Sequence, residues 1–386
     1  MNKKEFMKQY TMLIVLVAVF ILFTALTSGR LLLPQNLSNL LLQNSYVLIM
    51  ACGMLLCILT GGNVDLSVGS TVCLTGAVAA QLLAGGMSAA LVIPICLIIS
   101  ILIGVWQGFW IGHVHIPPFI CTLAGMFLFR GLGRVILGSK TVTITNEPFL
   151  NIFSSYINIP GLDSGEVKWS AFVAGILISA VLIGMQIMRR ANKQKKGYAQ
   201  ESAASDYGKT VIFAAMILAY TWQIAHHRGI SVMALWVIAV ICIYAFITSK
   251  VAFGRYFYAV GGNEKAAKLS GINTKKVYFL AYTSMSLLAG LSGMIVAARL
   301  GSVNGDTGSS FEMDAIGACF IGGASAYGGS GTVGGVVVGA ILLGVINQGM
   351  SIIGLDNNWQ YMVKGAVLLA AVIFDVVSNR KTGKAG

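Results

Sequence analysis

The sequence predicts an all-α polytopic membrane protein with about twelve transmembrane segments and an internal repeat. Three observations carry this. Hydrophobic residues make up 56% of the 386-residue chain and charged residues only 10%, too few to wet the surface of a soluble monomer. Apolar runs of roughly the 18 or more residues that span a bilayer recur along its whole length. Two glycine-rich segments also read like copies of each other: Gly61-Gly62-Asn63-Val64-Asp65-Leu66-Ser67-Val68-Gly69-Ser70-Thr71-Val72, and Gly322-Gly323-Ala324-Ser325-Ala326-Tyr327-Gly328-Gly329-Ser330-Gly331-Thr332-Val333. Lipid tolerates irregular backbone only where protein or water covers it. Repeated irregular segments at membrane depth are a common way to build a solute pathway.

The predicted spans, in order, are 12–27, 41–59, 66–84, 89–111, 118–137, 169–188, 210–226, 231–248, 277–297, 314–327, 333–353 and 360–377. The tenth is short and reads as a half-helix or a re-entrant piece. Pro34, Gln35 and Asn36 mark the first turn, and the first glycine loop separates spans two and three. His113, His115, Pro117 and Pro118 form a tight connection. Residues 138–168, with Pro148 and Pro160, make a longer loop with a short surface helix. Residues 189–209 (RRANKQKKGYAQESAASDYGK) are the most polar stretch and read as a mobile linker between two halves. The basic loop at about 250–276 contains a helix-forming core from Asn263 to Leu269, which Gly271 ends. With the whole length taken up by spans and short loops, 1–386 is a single transmembrane domain.

The net charge of +13 is distributed for a membrane and not for nucleic acid. With the N-terminus placed in the cytoplasm and sides alternated, 18 of the 26 Lys and Arg fall on the cytoplasmic side, from Lys3, Lys4 and Lys8 through Lys275, Lys276 and Arg380. The positive-inside rule therefore places both termini in the cytoplasm. Asp163, Asp306, Glu312, Asp314 and Asp356 fall in outer loops. The basic start at 1–28 belongs to an uncleaved first span, since many more spans follow. The seven cysteines lie in or beside apolar runs without Cys-x-x-Cys spacing and read as small buried hydrophobes.

Asp65 is a carboxylate in an irregular segment at membrane depth, where acids are costly and often functional. It also directly precedes an apolar helix, where Asp is a preferred N-cap. Helix cap, solute contact and gating hydrogen bond all remain open readings. Ser67, Gly69 and Ser70 allow close helix approach. The second loop carries no charge, and its glycines Gly322, Gly323, Gly328 and Gly329 suit close packing or positive φ. Neither loop is a phosphate cradle, because no Gly-x-x-x-x-Gly-Lys-Ser/Thr pattern occurs in the chain. Asn44, Gln107, Asn347 and Gln348 are amides in apolar spans, suited to interhelical hydrogen bonds or to an uncharged polar path. Arg130 and Arg134, one turn apart, are read as snorkelling to the outer interface. No His/Asp/Glu cluster has metal spacing and no catalytic constellation is evident, so the expectation is a transport subunit without cofactor or metal.

Three ordered motifs carry a resemblance: TGGNVDLSVGS at 60–70, AVGGNEKAAKLSGI at 259–272, and DAIGACFIGGASAYGGSGTVGG at 314–335. Together they resemble the permease subunits of monosaccharide ABC importers, of the xylose, multiple-sugar, galactose or ribose type, over nearly the whole chain. Val64 stands where Ile is commoner in that family, a conservative departure. The resemblance implies a vitamin B12 importer permease-like fold in the bacterial cytoplasmic (inner) membrane. It implies a second permease copy (identical or a close paralogue), a cytoplasmic ABC ATPase subunit and an extracytoplasmic sugar-binding protein. The segment at 259–272 corresponds to the coupling loop that docks on the ATPase, with Gly261, Gly262, Asn263, Glu264, Ala266, Ala267, Leu269 and Gly271 as its residues. Asn63, Asp65, Ser67, Gly69, Asn44 and Asn347 are the candidates for the signature loop and translocation path. Nucleosides and branched-chain amino acids are alternative cargoes within the same fold group. A secondary transporter is a further alternative, weakened by the scarcity of intramembrane ionisable residues.

Overall fold

The computed structural model describes residues 3–195 and 203–381. In chain order the helices are α1 (Lys3–Leu26), α2 (Pro34–Leu59), α3 (Val68–Ala84), α4 (Ala89–Gly112), α5 (Pro118–Leu137), α6 (Glu147–Ser154), α7 (Trp169–Lys195), α8 (Ala203–Ala225), α9 (Val232–Lys250), α10 (Ala252–Gly262), α11 (Glu264–Leu269), α12 (Thr274–Leu300), α13 (Phe311–Ile321), α14 (Val333–Ile353) and α15 (Asn357–Lys381). Two two-residue strands, β1 (Val142–Thr143) and β2 (Ser302–Val303), pair antiparallel with Val142 opposite Val303. The protein is a polytopic all-helical membrane protein. Eight of the described helices are long and apolar enough to cross a membrane, and three shorter apolar stretches lie at Met12–Leu26, Val68–Ala84 and Thr210–Ala225. Each of the twelve predicted spans overlaps a described helix, the tenth (314–327) only as far as Ile321. The tenth is the half-helix α13, of 11 residues.

The core is built around α2, α12 and α14. Within their most apolar stretches, 78%, 67% and 61% of residues are buried, against none in α15. Outer helices turn large apolar side chains such as Phe127, Val135 and Leu177 outward, as a lipid-facing surface requires. Helix α12 lies along α4 on a ladder of small residues that pattern reading overlooked. Gly104, Gly108 and Gly112 oppose Thr283, Phe279 and Lys275, and a Cβ at each would come within 2.5–2.7 Å of the α12 backbone. A four-residue glycine spacing brings two helices into backbone contact, which matters where lipid supplies no hydrophobic drive between helices. Helices α7 and α8 form a peripheral hairpin with its own small core of Ala171, Ile224 and Ala225.

Two expectations about the loops need revision. The 189–209 linker is largely helical: α7 continues to Lys195 and α8 begins at Ala203, leaving only 196–202 outside the described residues. Arg190 lies over the Tyr207 ring at 5.4 Å, and Lys193 and Lys195 sit in the last turn of α7, where the helix dipole favours cations. Arg130 and Arg134 do not merely snorkel. Arg130 donates to Thr307 O (2.6 Å), and Arg134 pairs with Asp306 (2.9 Å), so both hold the 304–307 loop.

Candidate functional site

Three motifs far apart in sequence meet at one end of the bundle. The first glycine loop leaves α2 at Thr60, and Gly61 and Gly62 take positive φ of 123° and 76°, which only glycine adopts freely. The second loop lies directly against it. A Cβ at Gly62 would overlap Ala326 O, and one at Gly328 would come within 2.5 Å of the Gly61 backbone. Gly329 N–H donates to Leu59 O at 3.0 Å, closing the two loops with a backbone bond. The end of α10 completes the contact, because Gly261 packs on both Leu59 and Gly329. Tyr258 donates to Gly331 O (3.0 Å), and Tyr278 donates to Thr60 O (3.0 Å) and to Glu264 of α11 (3.1 Å). Asn63 belongs to this end too: its amide donates to Thr60 O at 3.2 Å. Gly323 stands in open space at φ 85°, and Gly322 lies against Gly335, where α13 and α14 approach.

The segment 259–272 folds as its local sequence predicts in its capped helix, while the packing of its small residues is set by the rest of the chain. Asn263 caps α11 by accepting from Ala266 N at 2.9 Å, and Gly271 (φ 84°) ends it. Gly261 and Gly262 are the final helical residues of α10, and Gly261 packs closely on neighbouring backbone. Ala267 faces inward. It is buried (5% exposed) within its own chain, and Leu269, 90% exposed, is the outward-facing side chain together with exposed Ala266.

Asp65 is fully buried where the unwound strand re-enters the bundle. Its Oδ1 accepts from Ser67 N (2.8 Å) and Ser67 Oγ (2.7 Å). Gln107 of α4 donates to Ser67 Oγ and accepts from Ser286 of α12. The cap position thus lies two residues beyond Asp65. Asp65 fixes the turn before the helix, and Ser67 occupies the capping position of α3. Gly69, in the first turn of α3, is where Gly308 and Glu312 approach from the other side. Buried irregular backbone is sustained here by side-chain bonds, as membrane depth demands.

The other candidates lie elsewhere. Asn44 and Asn347 line a cavity of about 580 Å³ at the opposite end, walled by α2, α12, α14, α15 and the 302–311 segment. Asp65 and Ser67 are not part of its lining, so the six path candidates form two separate groups and not one. Tyr46 and Lys364, which sequence reasoning passed over, also line this cavity, and behind them both reach Asp314. Asp314, expected in an outer loop, is buried in the first turn of α13. It pairs with Lys364 of α15 at 2.9 Å and accepts from Tyr46 of α2 at 2.6 Å. Asp314 and Asp163 are therefore buried carboxylates besides Asp65. Phe311 stacks on Tyr46, with centroids 3.7 Å apart. No short-range pattern could reveal a triad drawn from three helices. Among the described residues, no group of three His, Cys, Asp or Glu is placed to hold a metal ion.

Buried loops of unwound backbone, a half-helix and a polar cavity inside a lipid-facing bundle define a membrane permease. A family model described as "Branched-chain amino acid transport system / permease component" matches residues 36–372. The chain is 34% identical to the xylose transport system permease protein XylH of Escherichia coli (strain K12), over 97% of this chain and 93% of that protein. It is 31% identical to the ribose import permease protein RbsC of the same strain, over 97% and 95%, and 33% identical to the galactose/methyl galactoside import permease protein MglC, over 97% of each. No solved structure matches it. The chain belongs to this family of ABC-transporter permease components, and is a transport subunit and not an enzyme.

Proposed function

We propose that this chain is the membrane-spanning subunit of an ATP-driven, binding-protein-dependent importer of a monosaccharide such as xylose, galactose or glucose. The relatives named above are sugar permeases matched over nearly their full length, which supports the cargo class. The observation that carries the mechanism is the junction of α10 and α11 with both glycine loops. Helix α11 is too short to be stable alone. It presents Leu269 to a partner on one side and holds Tyr278 through Glu264 on the other. An ATPase docked on Leu269 and Ala266 would move α10 and α11 together. Gly261, Tyr258 and Tyr278 would pass that movement to the two loops, and alternating access follows from their separation and closure.

On this reading the glycine-loop end is cytoplasmic, as are both termini, and the cavity opens toward an extracytoplasmic sugar-binding protein. Two copies, or this chain and a close paralogue, enclose the path in a vitamin B12 importer-like arrangement with an internal helix–loop–helix repeat around 61–72 and 322–333. A second reading, amino acid or nucleoside transport, has the family description in its favour. The test is reconstitution with the ATPase and binding protein in liposomes, supplying labelled xylose, ribose, galactose and leucine. Sugar accumulation that needs ATP is expected. Robust accumulation driven by a proton or sodium gradient through this chain alone would refute the proposal, and ATP-dependent uptake of leucine alone would transfer it to the second reading.

A further inference from the structure

The cavity opposite the glycine loops holds more unsatisfied hydrogen-bonding capacity than a structural void needs. Arg299, at the end of α12, lines it and makes no hydrogen bond or ion pair among the described residues. Asn347 Oδ1 and Gln348 Oε1, on adjacent positions of α14, are buried without any hydrogen-bond partner. Leaving such groups unpaired is costly, so a native protein keeps them for a reason. Beside them Asp314 is neutralised by Lys364 and held by Tyr46, while Phe311 stacks on Tyr46 and also lines the cavity.

We propose that this cavity is a monosaccharide-binding site within the permease itself, and that it contributes to the choice of cargo; this rests on the sugar-importer reading above. A sugar hydroxyl is at once donor and acceptor. Hydroxyls on neighbouring ring carbons can accept from the Arg299 fork and, with the Asn347 and Gln348 side chains turned toward the cavity they line, donate to their now-buried oxygens. A carboxylate ligand would satisfy Arg299 but has no proton to donate to those two acceptors. The Phe311 ring offers the flat apolar surface that the C–H face of a sugar covers. At about 580 Å³ the cavity falls in the range of small-molecule sites, roughly 300–1,000 Å³. It leaves space for water around one sugar ring, which suits a site that must release its ligand.

The experiment uses the full chain in lipid nanodiscs, with binding of D-xylose, D-ribose, D-galactose, D-galacturonate and L-leucine read by saturation-transfer NMR and calorimetry. Wild-type protein should bind at least one neutral sugar. Arg299→Met, which keeps the packing stem, and Asn347→Leu should each weaken that binding roughly tenfold or more. Asn347→Leu removes an amide whose oxygen has no partner, so its thermal midpoint should be unchanged or higher while binding falls; this separates lost recognition from lost folding. If no neutral sugar binds while the reconstituted importer still accumulates sugar, the inference is overturned and the function stands. If wild type and both well-folded variants bind sugar equally, this cavity is not the site. Arg299-dependent binding of leucine or galacturonate in place of neutral sugars would overturn the assignment, and ATP-driven uptake of that same solute in place of sugar would overturn the function too.

Discussion

Gly261 and Gly262 are adjacent, both helical, and indistinguishable by local sequence, yet replacing each with alanine should have opposite effects. Neither has a positive φ, so alanine gains helix propensity at both, by up to about 1 kcal/mol in a helix interior and less at this terminus. At Gly262 nothing lies within 4 Å of the added methyl, so that gain is unopposed. At Gly261 the methyl would overlap Leu59 O, and would stand 2.5 Å from Gly329 N and 2.9 Å from Leu59 C. Optimal separations are about 3.5–4.0 Å, so the backbone must give by about 1 Å at Gly329 N and by more at Leu59 O. All three atoms belong to rigid backbone, and the strain falls on the Gly329 N–H···Leu59 O bond of 3.0 Å. Overpacking costs typically 1–3 kcal/mol, and loss of a buried backbone bond about as much again. Gly261→Ala should therefore lose roughly 2–5 kcal/mol, whereas Gly262→Ala should be neutral or slightly stabilising. The assay is the thermal midpoint of each purified variant in detergent, followed by ATP-dependent uptake in liposomes. A Gly261→Ala protein as stable and active as wild type, or a Gly262→Ala protein equally damaged, would refute the three-way junction.

The orientation of α11 makes a second contrast. Leu269→Asp should depress sugar-stimulated ATP hydrolysis of the assembled complex while leaving permease stability unchanged; Ala267→Trp should lower the thermal midpoint of the permease alone, because Ala267 packs on its own chain. Equal midpoints for the two would contradict that orientation. Asp65→Asn keeps an oxygen to accept from Ser67 and should fold normally, whereas Asp65→Leu removes both bonds and should cost about 2 kcal/mol or more, read by chemical denaturation. In the loop between α6 and α7, burial works to raise the Asp163 carboxyl, but the Ile159 and Ser170 N–H groups (2.8 and 2.9 Å) and nearby Lys168 outweigh it and hold the group below its ordinary value. Its contribution is thus present above the unfolded value near pH 4 and lost as pH falls through the lower folded one. Proteolysis within 155–168 should accelerate only on that acid side, and an Asp163→Asn protein should lack the acid-side change.

The spans, the two glycine loops and the capped α11 were legible in the sequence because each depends on neighbours along the chain. Asn263 reaches a backbone N–H three residues on, and an apolar run of sufficient length spans lipid whatever surrounds it. The family motifs at 60–70, 259–272 and 314–335 were readable for the same reason. The tertiary structure decided which residues meet. In a lipid-facing bundle both the buried and the outward faces of a helix are apolar, so periodicity does not tell them apart. Hence the Gly104–Gly108–Gly112 ladder, the inward turn of Ala267 and the difference between Gly261 and Gly262 were hidden. Tyr46 and Asp314, 268 residues apart, and Asp314 and Lys364, 50 apart, are brought together only by the packing of α2, α13 and α15. Burying a charge requires a partner, and sequence marks the charge without naming the partner. What the chain alone determined was a membrane permease with two unwound loops; the fold joined those loops to α10 and α11 and built the polar cavity at the far end.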